Sequence, residues 1–470
     1  MASVVESLQA LGGSESPGFL NALVAQLWPN ICVAGGRMIK DIAEPMFGTM
    51  LPAPLNTLCF TKIDLGNVPL RFANVDVHRT ENDGIKLDMD LDWDGVCDIE
   101  LKGNKIPKIG VEHVKLQGRL SVLLCPLTNV IPLIGATQFA FISPPSLHLD
   151  FTDAGGIGDI SLVDRAVRKV VLNVISSMAV LPNRFLYKLD PNNDYFKTYQ
   201  HPLGILRLTV ESGENFGEEK KSKNILKRLV HDVPDCFVKA TVSAGDEWKT
   251  ATVKNNRHPE WNETNDFVVH DLDQIIKLDV QDDDTISDDD IGIGATTVKH
   301  LLAAGGRQEL SLLHKDQLTG AKLRISGSLF KFVPDATSLS ERGPGICGVL
   351  TILVASAFGI PGKRQDLKPS VKVSWGNRAF RTAIKSDAPG MDIENPSFDQ
   401  TFSIPITAGM VPGPAVNISL LDKEDERGSV EVTIEEVLAS PNLALQKDFD
   451  VGNGTRVRAG IWIRGTKAAA

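Results

Sequence analysis

The sequence predicts an α+β protein of several domains, in which a curved antiparallel sheet with helices is followed by two all-β sandwiches. Three observations predict this class. Strands that alternate apolar and polar residues, together with amphipathic helices, occupy roughly the first 200 residues. The rest of the chain contains one set of strand and turn patterns twice, and an acidic run at residues 282–290 follows a strand of the first copy.

The length, composition and charge of the chain exclude several classes of protein. A chain of 470 residues is too long for one ordinary hydrophobic core, and 42% apolar content is typical of globular domains. The formal net charge of -10 argues against a nucleic-acid partner, and against permanent adhesion to anionic lipid unless bound cations reverse the sign locally. The longest apolar candidate for a membrane span, residues 130–142, is interrupted by Pro132 and Gly135.

Apolar periodicity predicts the elements of the first 200 residues. Residues 85–91 alternate apolar and charged side chains, so this strand should have one apolar face and one wet face. Residues 114–124 and 147–151 show the same alternation. Helical spacing predicts a helix over residues 19–28 that ends at Pro29, and another over residues 160–178. An ordinary core would show the same periodicities.

Four motifs in this region resemble the SMP domain of the extended synaptotagmins and plant synaptotagmins, in the family's order. They are residues 21–29, 60–66, 114–118 and 180–184. The resemblance covers residues 17–195. It implies a tubular, TULIP-like module in which a curved half-barrel and its helices form a lateral apolar groove for the acyl chains of glycerolipids. The family's domain dimerises end to end, so a homodimer is expected.

The resemblance implies that the apolar faces bind a lipid cargo, either glycerophospholipid or diacylglycerol, while the head group stays in solvent. The expected lipid-binding residues are Leu116, Leu120, Val122, Leu124, Phe139, Phe141, Leu147, Leu149, Val167, Val171 and Val174. Which of them contact lipid and which only pack in a core is left open by the sequence.

The acidic run holds six carboxylates within nine residues. Because these charges repel one another, a folded loop that gathers them normally needs a cation, and spaced oxygen ligands suit Ca2+. A solvated acidic loop without a ligand is the alternative. The flanks favour calcium, since residues 275–280 have the pattern of a strand and Ile291 leads into another apolar run.

Three motifs around this loop resemble a C2 domain. They are the strand of residues 235–242, the turn of residues 258–263 and an Asp-x-Asp loop closed by Asp-x-x-Gly. The first C2 domain is expected over residues 203–333 and a second, with the same motifs, over residues 345–467. Residues 334–344, rich in Pro, Ser and Gly, form the expected linker between them.

The resemblance places calcium ligands of the first C2 domain in two loops. The expected ligands are Asp282, Asp284 and Asp289, with Asp288 as a substitute, Asp235 from the opposite loop, and Asp232 or alternatively Glu219 in place of a family aspartate that has no clear counterpart. Ca2+ takes about six to eight oxygens, so lipid phosphate can complete the shell. In the second C2 domain Lys368 matches Asp235 and basic residues neutralise the loop 422–428, so no high-affinity calcium site is expected there.

The sequence contains no Gly-x-Ser-x-Gly elbow, His-Glu-x-x-His helix or P-loop, and it predicts a protein that is not an enzyme. Two interpretations remain. In the first, the chain transfers glycerolipid at contacts between the endoplasmic reticulum and the plasma membrane, and its C2 domains bind anionic phospholipid membranes when Ca2+ rises. In the second, it is a calcium-regulated tether or scaffold without lipid transport. No membrane segment precedes residue 17. Either the sequence is a fragment or truncated gene model, or the protein is expected to be peripheral and recruited to the cytosolic face by partners.

Overall fold

The computed structural model describes residues 17–468, apart from residues 52, 81–83, 105, 153–159, 191–192, 218–232, 244–245, 284–288, 341–344 and 388–391. The chain divides into two compact units, with the boundary between Asn193 and Asp194.

In its described residues, the first unit is a seven-stranded antiparallel sheet with two long helices. The strands are β1 (Cys59–Asp64), β2 (Arg71–Arg79), β3 (Ile85–Gly103), β4 (Ile106–Leu124), β5 (Ala136–Phe141), β6 (Ser146–Thr152) and β7 (Phe185–Lys188). Their order is β1-β3-β4-β5-β7, with β2 also paired to β3 and β6 to β4. β3 and β4 have 19 residues each. Strands of roughly 60 Å twist and bend strongly, which is the curved sheet that the sequence predicts.

The first helix, α1 (Gly18–Met50), continues through Pro29 and Pro45. The prediction that it ends at Pro29 is therefore wrong. A proline inside a helix costs about 3 kcal/mol, because it removes one hydrogen bond and clashes with the preceding turn. Apolar side chains of the helix that are buried before and after Pro29 offset this cost. Trp28 and Phe47, for example, are both buried in the unit's apolar clusters. A single 3-10 turn, Leu55–Thr57, leads into β1.

The second helix, α2 (Ile160–Ala179), has the bounds that the apolar spacing predicts, within one residue. The polar side of β3 differs from expectation. Asp88 is only 2% exposed, so this face is not wet along its whole length. Lys86 Nζ donates to Asp88 Oδ2 over 2.7 Å, and this ion pair offsets part of the cost of burying the carboxylate.

The second unit begins with the short helix α3 (Tyr195–Thr198), followed by an antiparallel sandwich. Its strands are β8 (Gly204–Glu214), β9 (Cys236–Thr241), β10 (Glu247–Lys249), β11 (Glu260–Val269), β12 (Ile275–Asp282), β13 (Asp289–Thr297), β14 (Arg307–His314) and β15 (Gln317–Val333), with helix α4 (Val298–Ala303) after β13. One layer runs β10-β9-β12-β13 and the other joins β11, β8, β15 and β14. Their inner faces form one core that includes Leu206, Val238 and Leu278.

A second sandwich with the same plan follows. Its strands are β16 (Ile346–Phe358), β17 (Pro369–Trp375), β18 (Arg378–Arg381), β19 (Ser397–Thr407), β20 (Val416–Asp422), β21 (Asp425–Val432), β22 (Ala444–Gly452) and β23 (Thr455–Ala468), with helix α5 (Ile434–Ala439) after β21. Short 3-10 turns lie at Thr337–Ser340, Arg364–Asp366 and Pro441–Leu443. The layers run β18-β17-β20-β21 and β19-β16-β23-β22. The architecture confirms the predicted fold class.

The two sandwiches are joined by a continuous sheet, because β15 pairs with β23 from Phe330 to Val333. A buried carboxylate reinforces this junction. Asp266 accepts two hydrogen bonds from the Arg207 guanidinium, at 2.8 and 2.9 Å, and one from the Ile346 N–H at 2.7 Å. Gly345 has a φ of 102°, and a Cβ there would lie 2.3 Å from Asp266 Oδ2, so only glycine fits.

Candidate functional sites

An apolar face crosses the middle of the first unit's sheet. Val122 of β4 lies opposite Leu87 of β3 on one side and opposite Phe139 of β5 on the other. Leu120 lies between Met89 and Phe141 in the same way. Residues directly opposite each other in a sheet point to the same face, so these six side chains form one apolar surface over three strands.

Part of this face remains accessible. Leu120, Val122, Leu124 and Phe139 are half-buried, whereas Leu123, which points to the other face of β4, is 1% exposed. A side chain that points into a packed core is normally fully covered. The half-exposed part of the face therefore has the chemistry of a groove for an apolar ligand.

Of the other predicted lipid-binding residues, three are buried and four are partly buried. Phe141 is 7% exposed on the same face, and Gly118 in β4 allows its ring to approach, because a Cβ at Gly118 would lie 2.9 Å from it. Val167 and Leu147 are buried in two apolar clusters. The remaining four are partly buried against those clusters, namely Leu116, Leu149, Val171 and Val174.

Phe185 of β7 belongs to the same face, although it is not among the residues predicted to bind lipid. It lies opposite Phe139, and the two rings stack with centroids 4.8 Å apart. A four-residue strand such as β7 gives no periodic pattern. The only sequence signal is its place directly after the motif of residues 180–184.

The acidic site of the second unit lies where β9 begins and β12 ends. The Asp235 N–H donates to Asp282 Oδ1 over 2.7 Å, and the Asp283 N–H donates to the Asp235 carbonyl over 2.8 Å. The Asn255 N–H donates to Asp235 Oδ1 over 2.8 Å. These bonds hold two of the six predicted calcium ligands at adjacent strand ends.

The other predicted ligands are less fully described. Asp232, its alternative Glu219, Asp284 and Asp288 lie outside the described residues. Asp289 begins β13 opposite Asp282, and the structure describes its backbone only. Among the side chains that are described, no group of three or more His, Cys, Asp or Glu residues is arranged to hold a metal. Asp283, which is not a predicted ligand, accepts a hydrogen bond from Thr252 Oγ1 at 2.9 Å.

A buried thiol lies next to the acidic site. Burial raises the pKa of Cys236 to about 12, and the charges of Asp282 and Asp235 contribute to the increase. The thiol therefore stays protonated at neutral pH and is a poor metal ligand. The donor set at this site consists of oxygens, which suits Ca2+.

The second sandwich repeats this geometry with different charges. The Lys368 N–H donates to Asp422 Oδ1 over 2.8 Å, and the Lys423 N–H donates to the Lys368 carbonyl over 3.0 Å. These are the same bonds that Asp235, Asp282 and Asp283 make, which confirms that Lys368 occupies the position of Asp235.

Arginine side chains compensate the carboxylates of this second loop. Arg427 Nη2 lies 2.6 Å from Asp422 Oδ2, and Arg381 Nη1 lies 2.9 Å from Glu424 Oε1. Burial disfavours ionisation of Asp422, but the Lys368 N–H and Arg427 outweigh it and hold the pKa of this carboxyl below its usual range. The predicted neutralisation of the loop by basic residues is thus present.

A half-open apolar sheet followed by two sandwiches with loop carboxylates defines a lipid-binding protein with membrane-associating domains. Comparison with known families agrees. The model of the synaptotagmin-like mitochondrial-lipid-binding (SMP) domain matches residues 13–189, and the C2 domain model matches residues 204–311 and 348–448. The chain is homologous to the extended synaptotagmins and consists of an SMP domain followed by two C2 domains.

Individual relatives show the extent of the similarity. Extended synaptotagmin-2 of Mus musculus is 25% identical over 462 residues, which cover 94% of this chain and 53% of the relative. Extended synaptotagmin-1 of Pongo abelii is 31% identical over 467 residues, covering 93% and 40% respectively. The chain thus spans about half, or less, of the length of these relatives.

A solved structure of the SMP, C2A and C2B domains of extended synaptotagmin 2 shares the fold. It aligns with a TM-score of 0.64 and 22% sequence identity, covering 97% of this chain and 100% of the solved one. Within the described residues, no helix combines the length and apolarity required to cross a membrane.

Proposed function

We propose that this chain carries glycerolipid between membranes, with the acyl chains held in the apolar groove of the SMP domain. The proposal uses the predicted boundaries: SMP at 17–195, C2 domains at 203–333 and 345–467, and a linker at 334–344. The single observation that carries it is the half-exposed apolar face around Leu120 and Val122. The proposed cargo is glycerophospholipid or diacylglycerol.

Acyl-chain energetics explain why a carrier needs such a face. Each methylene buried from water gains about 0.8 kcal/mol, so two chains of ~16 carbons resist entering water by roughly 20 kcal/mol. A carrier must therefore cover the chains throughout transfer. A head group left in solvent makes few contacts, which gives weak discrimination among head groups.

The first C2 domain supplies calcium-regulated binding to anionic membranes. Asp235 and Asp282 are held together by a backbone hydrogen bond, and the predicted ligands of residues 284–289 follow directly in the chain. Without a cation this cluster repels anionic lipid. Bound Ca2+ reverses the local charge, and lipid phosphate then completes its coordination shell.

The second C2 domain binds no calcium with high affinity in this proposal. The Arg427 guanidinium already compensates Asp422, and Lys368 replaces a ligand. The domain instead docks on a membrane or a protein. No catalytic step is part of the proposal.

A homodimer through the SMP domain is also part of the proposal. Phe19, Leu23 and Leu27 lie four residues apart on one face of α1 and are 82%, 44% and 43% exposed. An exposed apolar stripe of this kind suits a helix that packs against a second copy. Light scattering during gel filtration should give a dimer mass that Leu23→Glu reduces to a monomer.

The proposed place of action is the cytosolic side of contacts between the endoplasmic reticulum and the plasma membrane, with the chain as a peripheral protein. The second candidate function is a calcium-regulated tether without transport. The acidic site supports it, because calcium-regulated membrane attachment alone is sufficient for a tether.

Native mass spectrometry of the purified chain, with and without Ca2+, separates the two functions. A carrier retains about one or two diacyl lipids per SMP domain. A protein that gains only Ca2+ would be a tether, and a protein that gains neither would contradict both functions.

A further inference from the structure

The loop between β4 and β5, residues 125–135, exposes a cluster of aliphatic side chains. Ile131 is 88% exposed, Val130 72%, Leu133 55% and Leu127 43%. Exposed apolar residues usually occur singly on a protein surface, whereas four on one loop form a patch that marks an interaction site. By its sequence alone, this segment is part of an interrupted apolar stretch, residues 130–142, that is too short and too broken to span a membrane.

The loop is ordered by its own hydrogen bonds. The Thr128 N–H donates to the Leu133 carbonyl over 2.8 Å, and Thr128 Oγ1 donates to the Val130 carbonyl over 2.9 Å. The Leu133 N–H also donates to the Val130 carbonyl, over 2.6 Å. Pro126 and Pro132 have no N–H that needs a partner. Several polar groups of the backbone are thus satisfied inside the loop, which lowers the cost of moving it into hydrocarbon.

The charge pattern around the loop points to the same environment. No Asp, Glu, Lys or Arg occurs between Arg119 and Asp150. Tyr187 of β7, which is 59% exposed, pairs with Thr137 at the base of the loop. Tyrosine is enriched where apolar and aqueous regions of a membrane meet. The tip is uncharged and aliphatic, whereas its base lies next to Tyr187, to Lys188, which pairs with Ala136, and to Asp190, whose N–H donates to the Gly135 carbonyl over 2.9 Å. Apolar residues at the tip and polar or charged residues at the base match the change from hydrocarbon to water across a bilayer surface.

The loop also continues the apolar groove. Leu124, the last residue of β4, is half-buried and lies on the groove face with Leu120 and Val122. It pairs with Thr137 of β5, so the loop connects two strands that line the groove. Acyl chains at the tip of the loop are therefore next to the end of the apolar face.

We propose that residues 127–133 insert into the acyl region of a bilayer and open the groove end toward it. The open groove end gives the cargo of the proposed lipid carrier an entry route. This part of the proposal, unlike the insertion itself, rests on the proposed function. Insertion requires no calcium, because the tip contains no charged group. It forms a membrane contact separate from both C2 domains.

The proposed dimer surface lies elsewhere on the SMP domain. Asn21 of α1 donates to the Phe72 carbonyl, and Phe72 pairs with Leu91 of β3. The loop follows Leu124, which pairs with Ile85, six residues before Leu91 in β3. At about 3.3 Å per residue, the positions on β3 next to which the two surfaces begin, Leu91 and Ile85, are roughly 20 Å apart. A second copy seated on the loop is the alternative that the test must distinguish.

The first experiment locates the loop relative to the membrane. The full chain, with a C-terminal hexahistidine tag, is attached to phosphatidylcholine vesicles that contain a nickel-chelating lipid and brominated acyl chains, in EGTA. Ile131→Trp should show a blue shift and a loss of intensity that are absent in Val96→Trp, a change at an exposed valine of β3. Equal emission from the two variants, with flotation showing both bound, would overturn the proposal.

The second experiment tests the entry route with the double change Val130→Asp and Ile131→Asp. Uptake of a fluorescent phospholipid from these vesicles should slow by about tenfold or more, because carboxylates are costly in hydrocarbon. Val96→Asp is the matched control, and a normal melting temperature shows that the double variant folds. Unchanged uptake contradicts the proposed route, and a loss of dimer mass with normal uptake assigns the loop to a second copy. Native lipid content tests the carrier separately, because it is measured without vesicles.

Discussion

Arg427 Nη2 lies 2.6 Å from Asp422 Oδ2, and Asp422 occupies the place in the second C2 domain that Asp282 occupies in the first. In each domain a backbone N–H holds this carboxylate in place, and a cation beside it is needed to compensate its charge. The two domains obtain that cation in different ways. The second domain has its own guanidinium there. In the proposed function the first domain takes its cation from solution.

The first prediction concerns calcium. Asp282→Asn should lower the affinity for Ca2+ by about tenfold or more, because it replaces a charged oxygen ligand with a neutral one. Isothermal titration calorimetry of the full chain measures this. Asp422→Asn makes the same chemical change at the matching position and should leave the titration unaltered. An equal effect of both changes, or none from Asp282→Asn, would show that the acidic site is not the calcium site.

The second prediction concerns Arg427. Arg427→Gln leaves the Asp422 carboxylate, whose side chain is 7% exposed, without its cation and should lower the free energy of unfolding by about 1 to 2 kcal/mol. This loss of free energy of unfolding is modest because the Arg427 side chain is 47% exposed and its charge is partly screened by solvent. Urea denaturation at pH 7 gives the difference. Arg364→Gln, which breaks a more exposed pair with Asp387, should cost less than about 0.5 kcal/mol.

The same pair predicts a pH dependence. The pKa of Asp422 is lower in the folded chain than in the unfolded one, so its contribution is fully present well above about pH 4 and is lost as the pH falls through the folded value. The difference in stability between the native chain and Arg427→Gln should therefore shrink in acid. A difference that stays constant down to pH 3 would mean that Arg427 acts through packing rather than charge.

The third prediction concerns the groove. Leu120→Trp together with Val122→Trp fills the accessible face with two large rings, and the lipid that copurifies with the chain should fall to a small fraction of the native amount. Native mass spectrometry measures lipid and protein together. Val96→Trp adds the same ring at an exposed site of β3 and should retain normal lipid content. Full lipid loading of the double variant would place the cargo elsewhere.

The fourth prediction concerns His201, whose ring packs 5.2 Å from Trp462 and 4.9 Å from Tyr199. Burial lowers its pKa to about 4, and the charge of Arg464 adds to this effect. Because the folded pKa lies below the unfolded value, His201 favours folding above about pH 6.5, and stability falls between about pH 6.5 and 4. The loss is at most about 3 kcal/mol.

Thermal melts between pH 7 and pH 4.5 measure this contribution of His201. In His201→Phe the slope between these pH values should be shallower than in the native chain. His300→Gln, on the exposed side of α4, is the control and should keep the native slope. Identical slopes in all three proteins would rule out His201 as the group responsible.

Most of the fold can be predicted from local sequence patterns, and the errors in that prediction have physical causes. Alternation with a period of two located β3 and β4, and helical spacing located α2 within one residue. The predicted end of α1 at Pro29 was wrong, because the rule that proline ends a helix is local and does not include the burial of Trp28 and Phe47. Alternation also shows which side chains share a face but not what covers them, so the burial of Asp88 was missed.

The candidate sites were predicted unevenly for a similar reason. Sequence motifs located Asp235 and Asp282, and the fold brings them together. The sequence does not distinguish Val122 from Val167, although Val122 is half-buried on an open face and Val167 lies in a closed cluster. That difference depends on which part of the sheet is covered by helices, and apolar periodicity is the same in both cases.

The ladder of Phe330–Val333 with residues 465–468 gives the pair of C2 domains a mechanical property. A force that separates the two sandwiches must break this ladder and the hydrogen bonds of Asp266 at the same time. A flexible linker, in contrast, would first extend without resistance. In the proposed function the pair therefore acts as a stiff strut. At a contact between two membranes, a strut sets a minimum spacing as well as a maximum one, whereas a flexible linker limits only the maximum.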